Sequence, residues 1–183
     1  MNRIKRSITT LSLAAALITA TAQTAEGGKA VTEGTPAFWN NVILELNAGM
    51  GTAKDGLSPL ELGANIGYRF IPRMYVFVHG GNTFGLYNED HGQHYTKSAT
   101  LGGGLGYTLW RQGNLDIDLR ASAGSSIGNA DWKQTVYDAG ITFRIGRRSG
   151  IKALVGLGFR HASSRTAGIG TYNGFYGSIG FGF

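Results

Sequence analysis

The 183-residue chain has no cysteine. A disulfide framework and a lipidated cysteine anchor are therefore both excluded, and stability outside a reducing compartment has to come from hydrogen bonding and packing. Charge is scarce as well, at 15% of residues against a usual share of about a quarter. Beyond the N-terminus no apolar run approaches the roughly 18 residues that a spanning helix needs, and a mean hydropathy of −0.07 excludes a helical membrane bundle. Glycine and aromatic residues are what the chain does have: 30 glycines and 11% Phe, Trp and Tyr. A disordered linker or a collagenous chain would not carry those aromatics. The length predicts one compact domain.

The first segment has the layout of an export signal. Arg3, Lys5 and Arg6 form a basic start, Ile8 to Ile18 an uncharged apolar stretch, and Ala20-Thr21-Ala22 a small-residue cleavage site. Residues 1–22 are expected to be removed, leaving Gln23 first. Removal lowers the net charge from +6 to +3, with 14 cations left against 11 anions. Those cations are dispersed, so nucleic acid, which calls for a clustered basic face with stacking aromatics, is not expected as a partner. Residues 23–40 are expected to form a periplasmic N-terminal segment, with Phe38 and Trp39 as interfacial anchors, and residues 41–183 the folded domain.

From Val42 the apolar residues recur at every second position, the period of a strand. Val42, Leu44, Leu46, Ala48 and Met50 share one face opposite Glu45, Asn47 and Gly49. A second run sets Leu60, Leu62, Ala64, Ile66, Tyr68 and Phe70 against Glu61, Gly63, Asn65, Gly67 and Arg69. The third, Met74 to about Phe84, is apolar on both faces at first, which leaves its orientation open. Five more alternating runs follow at Ala99–Leu109, Leu115–Ala123, Tyr137–Ile145, Ile151–Arg160 and Phe175–Phe183. The connections near 71–73, 111–114 and 146–150 are short, and those near 52–59, 85–97, 126–133 and 162–173 are longer and more polar.

An even number of strands of about ten residues, with short turns alternating with long loops, predicts an all-β fold, a closed antiparallel eight-stranded transmembrane β-barrel. A soluble lipocalin-like barrel is the competing fold, and it would invert the logic by turning its apolar faces inward. Phe175, Ile179, Phe181 and the terminal Phe183 resemble the C-terminal aromatic signature of bacterial outer-membrane barrels, and residues 40–183 resemble, by pattern, small outer-membrane proteins of the OmpA and OmpX type. The resemblance implies integral residence in the cell outer membrane and reading of the C-terminus by the barrel-assembly machinery. It also implies contact with outer-membrane lipid and lipopolysaccharide, a monomer, and no cofactor.

With the apolar faces toward lipid, Glu45, Glu61, Asp116, Asp118 and Asp138 point inward with Arg69, Arg120, Arg144, Lys152 and Arg160. Five acids against five bases predict a neutralised polar core that plugs the barrel, and a narrow pore is the alternative. The many inward glycines leave room for it. Glu89, Asp90, His91 and His94 have donor types that ligate divalent metals, but their place in a polar loop predicts solvation and no metal site. Gly102-Gly103-Gly104-Leu105-Gly106 lies within a strand with no helix after it, which excludes a phosphate loop.

His161 and Ser163 share the outward face at the end of the seventh strand. Arg160-His161-Ala162-Ser163 resembles the H-x-S-N element of lipid A 3-O-deacylases of the PagL type. The resemblance implies an acyl-ester hydrolase with Ser163 as nucleophile and His161 as general base. Ser164 stands where that family has asparagine, and no Asp or Glu occurs from 164 to 183, so Asn173, or Glu89 and Asp90, would have to orient the imidazole. Two functions are thus expected: a non-enzymatic barrel with a structural or surface-binding role through its extracellular loops, or a lipid A deacylase.

Overall fold

A computed structural model describes residues 39–54, 57–89, 92–146 and 150–183. The predicted signal segment 1–22 and residues 23–38, Phe38 included, lie outside the described residues. After a 3-10 turn at Trp39–Asn41, eight strands follow: β1 Val42–Gly51, β2 Leu57–Ile71, β3 Met74–Glu89, β4 Gly92–Gln112, β5 Leu115–Ile127, β6 Gln134–Ile145, β7 Lys152–Ser164 and β8 Tyr172–Gly182. Each pairs antiparallel with the next, and β8 returns to β1, closing the barrel. The last residue finishes the seam, where Phe183 N donates to Leu44 O at 2.9 Å. The fold is the closed eight-stranded transmembrane barrel.

Alternation sorts the side chains as a lipid-embedded barrel requires. Met50, Leu62, Ile66, Leu101, Leu105, Leu157, Phe175 and Ile179 are exposed on the outer face, while Glu45, Asn65, Asp118, Arg144 and Arg160 are buried. On β2 the outward run from Leu60 to Phe70 is about 33 Å long at roughly 3.3 Å per residue, or about 25 Å of bilayer at a tilt of about 40°. Strand β3, whose two apolar faces left its orientation open, turns Tyr75 and Phe77 inward and Val76 and Val78 outward. The reason lies in the lumen, where the Tyr75 hydroxyl finds polar partners.

The strands are longer than expected, from 10 to 21 residues. The largest correction concerns residues 85–89 and 92–97, which belong to strands and not to a long loop. The β3–β4 ladder continues through them to the pair Glu89 with Gly92. Polarity in this stretch marks departure from the apolar belt, not the end of pairing, because a hairpin in water needs no apolar face to keep its ladder. The other connections at this end, called here the loop end, span 52–56, 128–133 and 165–171. At the opposite, turn end, β4 carries a bulge between Thr108 and Trp110. The extra residue leaves Leu109 and Trp110 both exposed and re-phases the strand, so that Arg111, expected in a turn, pairs with Asp116 inside. Gly113, at φ +56°, makes the two-residue turn to β5.

Gly106 shows what the inward glycines do. A Cβ there would lie inside the ring of Tyr75, so the glycine is the space the tyrosine occupies. Gly106→Ala is expected to push the ring off its partners and cost about 1–3 kcal/mol, seen as earlier loss of the compact, heat-modifiable band in unboiled gel samples. Gly80→Ala, where the nearest atom is Leu101 Cδ1 at 3.9 Å, should leave that band unchanged.

Candidate functional site

Two places in the barrel gather polar side chains, the lumen and one sector of the outer face. In the lumen the ionic side chains stack in tiers. Nearest the turn end, Asp116 receives Arg111 Nε and Lys152 Nζ, each at 3.1 Å, and Arg69 donates to Thr108 Oγ1 and Pro72 O. Arg69 is the one member of the predicted ten that makes no ion pair with a carboxylate among the described residues.

In the next tier Glu45 of β1 reaches Arg120 of β5, on the opposite side of the eight-strand ring. The pair is bidentate, at 2.6 and 2.8 Å, the strong form of an arginine–carboxylate contact. Asn65 adds a hydrogen bond to Glu45 at 2.9 Å. Arg144 stands 2.6 Å from Asp118 and 3.0 Å from Glu45, at angles outside hydrogen-bond geometry, so this contact is Coulombic. Tyr75 sits at the centre, donating to Asp118 Oδ2 and accepting from Arg120 Nε, with the guanidinium groups of Arg69, Arg120 and Arg144 within 5.5 Å of its ring centre.

Above it Arg160 bridges Glu61 at 2.6 Å and Asp138 at 2.7 and 2.9 Å, and His79 links Glu61 at 3.0 Å to Asn65 at 2.7 Å. A cavity of about 80 Å³ lies beside these groups, lined by Asn47, Ser122, Thr142 and Tyr176 among others. Apolar contacts gather at the loop end. Leu57, Trp132, Val136, Ala162 and Tyr172 form a buried cluster, and the 128–133 connection that carries Trp132 is tied back to β4 by Asp131 N donating to Lys97 O.

The second place is the outward face of β5–β8. Registry puts Ala123, Tyr137, His161 and Asn173 in one row, with Ser125, Thr135 and Ser163 one row nearer the loop end. One row toward the turn end are Ala121, Ala139, Phe159 and Phe175, the last two edge to face at 5.8 Å. The change from apolar to polar is therefore abrupt, and His161 lies on the boundary. His161 Nδ1 meets Asn173 Oδ1 at 2.5 Å. An amide oxygen only accepts, so this contact requires the tautomer with the proton on Nδ1, which in a neutral ring leaves Nε2 as the acceptor. No hydrogen bond joins His161 to Ser163 among the described residues, although both face outward. Of the two routes for orienting the imidazole, the Asn173 one is present. Asp90 and His91 lie outside the described residues, as do the side chains of Glu89 and His94.

Tyr75, His79, Arg111 and Trp132 were missed from sequence, and Asn65 and Tyr176 were placed on the inward face without a part in the network. For the β3 residues the signal was masked by apolar residues on both faces. For Arg111 it was masked by the bulge, and for Trp132 by its place in a connection that reads as polar.

The family described as "Protein of unknown function, DUF481" matches residues 35–164, the span from before β1 to the end of β7. The chain belongs to this DUF481 family. No curated protein matches the sequence. Among solved structures, the DUF481 barrel is similar to the outer-membrane enzyme PagL, at 13% identity over 75% of this chain and 96% of that one with a TM-score of 0.46. It is also similar to the N-terminal β-barrel domain of OprF from Pseudomonas aeruginosa, at 16% over 79% and 98% with a TM-score of 0.45. A de novo designed transmembrane barrel stands at 14% over 79% and 94% with a TM-score of 0.46. No activity is assigned by these likenesses.

The lumen tiers of the DUF481 barrel differ in how much each cation carries. Arg160→Met would leave Glu61 and Asp138 buried without their shared cation, an expected loss of about 3–5 kcal/mol. Lys152→Met leaves Asp116 its Arg111 partner at a more exposed place and should cost about 1 kcal/mol or less. Urea unfolding in lipid vesicles measures both.

Proposed function

We propose that the protein is an outer-membrane barrel with a plugged lumen, exported by residues 1–22, whose non-enzymatic role is exerted by its surface and loop end. The observation that carries this reading is the tiered ionic network. Glu45 with Arg120, and Glu61 with Arg160, reach across an eight-stranded interior only just wide enough for side chains, and Asp138 joins Arg160 from the adjacent strand. A solute would have to break bidentate, buried ion pairs to pass. The apolar cluster around Trp132 closes the loop end separately. On this reading the turn end faces the periplasm, the loop end faces outward, and the terminal phenylalanines serve the assembly machinery and then the lipid.

Planar-bilayer recording tests the plug. The wild type should give no steady unitary steps, and Trp132→Ala should stay silent too, because the ionic tiers remain. Steady steps from the wild type would remove the plugged reading.

A second reading, hydrolysis of an ester-linked acyl chain of lipid A, is supported by the short His161–Asn173 contact beside Ser163. With Nδ1–H held by Asn173, Nε2 would take the Ser163 proton as Oγ attacks the ester carbonyl, then return it to the departing alcohol, and water would release the acyl-serine. Asn173 orients the ring but adds no charge to steady an imidazolium, a weaker arrangement than a carboxylate. Mass spectrometry of lipid A from cells producing the wild type or Ser163→Ala separates the two readings. Identical spectra, with insertion confirmed, are expected for the non-enzymatic barrel. Loss of one acyl chain with the wild type alone would establish the hydrolase.

A further inference from the structure

The polar sector of β5–β8 continues one row beyond Ser163, and that row is cationic. Gln134 pairs with Ser164 in the β6–β7 register, and the ladder runs on for one more pair, with Arg165 N donating to Lys133 O at 2.7 Å. Lys133 and Arg165 therefore stand directly opposite each other on neighbouring chains, in the phase of outward-facing Thr135 and Ser163. Both are exposed. Like charges directly opposite in a sheet repel, and neither makes an ion pair with a carboxylate among the described residues. Lys97 belongs to the same neighbourhood. It is exposed, its ammonium lies 6.0 Å from the Phe84 ring centre, and its carbonyl receives Asp131 N from the connection that ends at Lys133. Asp131 is the acidic neighbour among the described residues, where three cations face one acid.

Arg165 is also held in place. Its Nη2 donates to Ser125 Oγ at 2.7 Å, Ser126 Oγ at 3.2 Å and Gln134 O at 3.2 Å. Nε and Nη1 are left without a partner among the described residues. A guanidinium fastened by one nitrogen, with two donors free, is prepared to receive a tetrahedral anion. Below this cation row come the hydroxyl groups of Ser125, Thr135 and Ser163, then the Tyr137–His161–Asn173 row, then Phe159 and Phe175. Rows are about 7 Å apart along a strand. From the loop end toward the turn end the sequence of chemistries is cation, hydroxyl, amphipathic ring, aromatic hydrocarbon. A phosphorylated lipid presents the complementary order: phosphate, polar headgroup or sugar, ester region, acyl chain.

We propose that this face of β5–β7 binds the phosphate group of an outer-leaflet glycolipid between Lys133 and Arg165, with Lys97 at its edge and the acyl chains lying along Phe159 and Phe175. The site rests on the outer-membrane reading and is independent of whether Ser163 reacts. It also accounts for two cations placed opposite each other on a chain with little charge to spend. The ligand chemistry is a phosphoryl group with its anionic oxygens, which a lipid headgroup or free phosphate could supply, and the apolar face that begins at Phe159 and Phe175 favours the lipid.

Native mass spectrometry of the full chain in detergent micelles tests the site, with bis-phosphorylated lipid A as probe, lipid A of the same acylation lacking both phosphates as the control, and inorganic phosphate as competitor. The wild type should retain one bis-phosphorylated lipid, with at least tenfold weaker binding of the dephosphorylated lipid. Lys133→Gln, which removes no side-chain hydrogen bond or ion pair among the described residues, and Arg165→Gln should each weaken the phosphorylated lipid alone. Heat-modifiable gel mobility verifies that each variant is a folded barrel. Equal retention of the two lipids, or no effect of Lys133→Gln, would overturn the proposal. So would displacement of the lipid by an equal concentration of inorganic phosphate, which would make the lipid incidental. Cell fractionation tests the outer-membrane reading separately, so its failure is not confused with absence of the site.

Discussion

A backbone in hydrocarbon has no hydrogen-bond partner except itself, and the closure of β8 onto β1 is the condition on which the rest of this molecule depends. Once the ladder from Glu45 to Gly51 is paired with β8 and Phe183 is paired with Leu44, the belt has no open edge. Every strand then has one face toward lipid and one toward a lumen of fixed width. The outward face can be as apolar as Ile66, Phe175 and Ile179 make it, since the solvent there is lipid.

Closure at eight strands sets the second constraint, an interior that side chains fill. The charges placed there compensate one another, Glu45 with Arg120 and Glu61 with Arg160 across the lumen, and Asp138 with Arg160 between adjacent strands. Such pairs contribute little net stability relative to an apolar filling. What they do is penalise loss of any one member, which holds the interior in a single arrangement. Tyr75 shows how tightly the arrangement is drawn. Its hydroxyl joins Asp118 and Arg120, three guanidinium groups approach its ring, and its place exists because position 106 is glycine.

On the plugged reading, chemistry directed at other molecules lies on the outside or at the loop end. The outer face is not uniform. Over β5–β8 it passes within a few rows from aromatic hydrocarbon to an imidazole held by an amide, then to hydroxyls, then to a pair of opposed cations. The gradient matches the interface of a bilayer whose headgroups carry negative charge. Both the hydrolase reading and the phosphate site draw on this sector, and the non-enzymatic reading draws on the plug behind it.

The number of strands, their order, their lipid-facing residues and the inward phase of the charges were legible in the sequence, because a two-residue period bounded by turns is a local property of the chain. Val42–Met50 and Leu60–Phe70 show it without ambiguity. Three kinds of fact were decided only by tertiary structure. The facing of β3 depended on which polar groups awaited Tyr75 across the lumen, and the inward position of Arg111 depended on a bulge that shifts phase by one residue. The partners of Glu45 and Glu61 were decided by the barrel's curvature, which brings β1 to β5 and β2 to β7, contacts between residues 75 and 99 positions apart that no local pattern encodes. The burial of Trp132 at the loop end and the meeting of Lys133 with Arg165 belong to the same class. A strand period records which face a residue takes, and only the closed ring determines what it meets there.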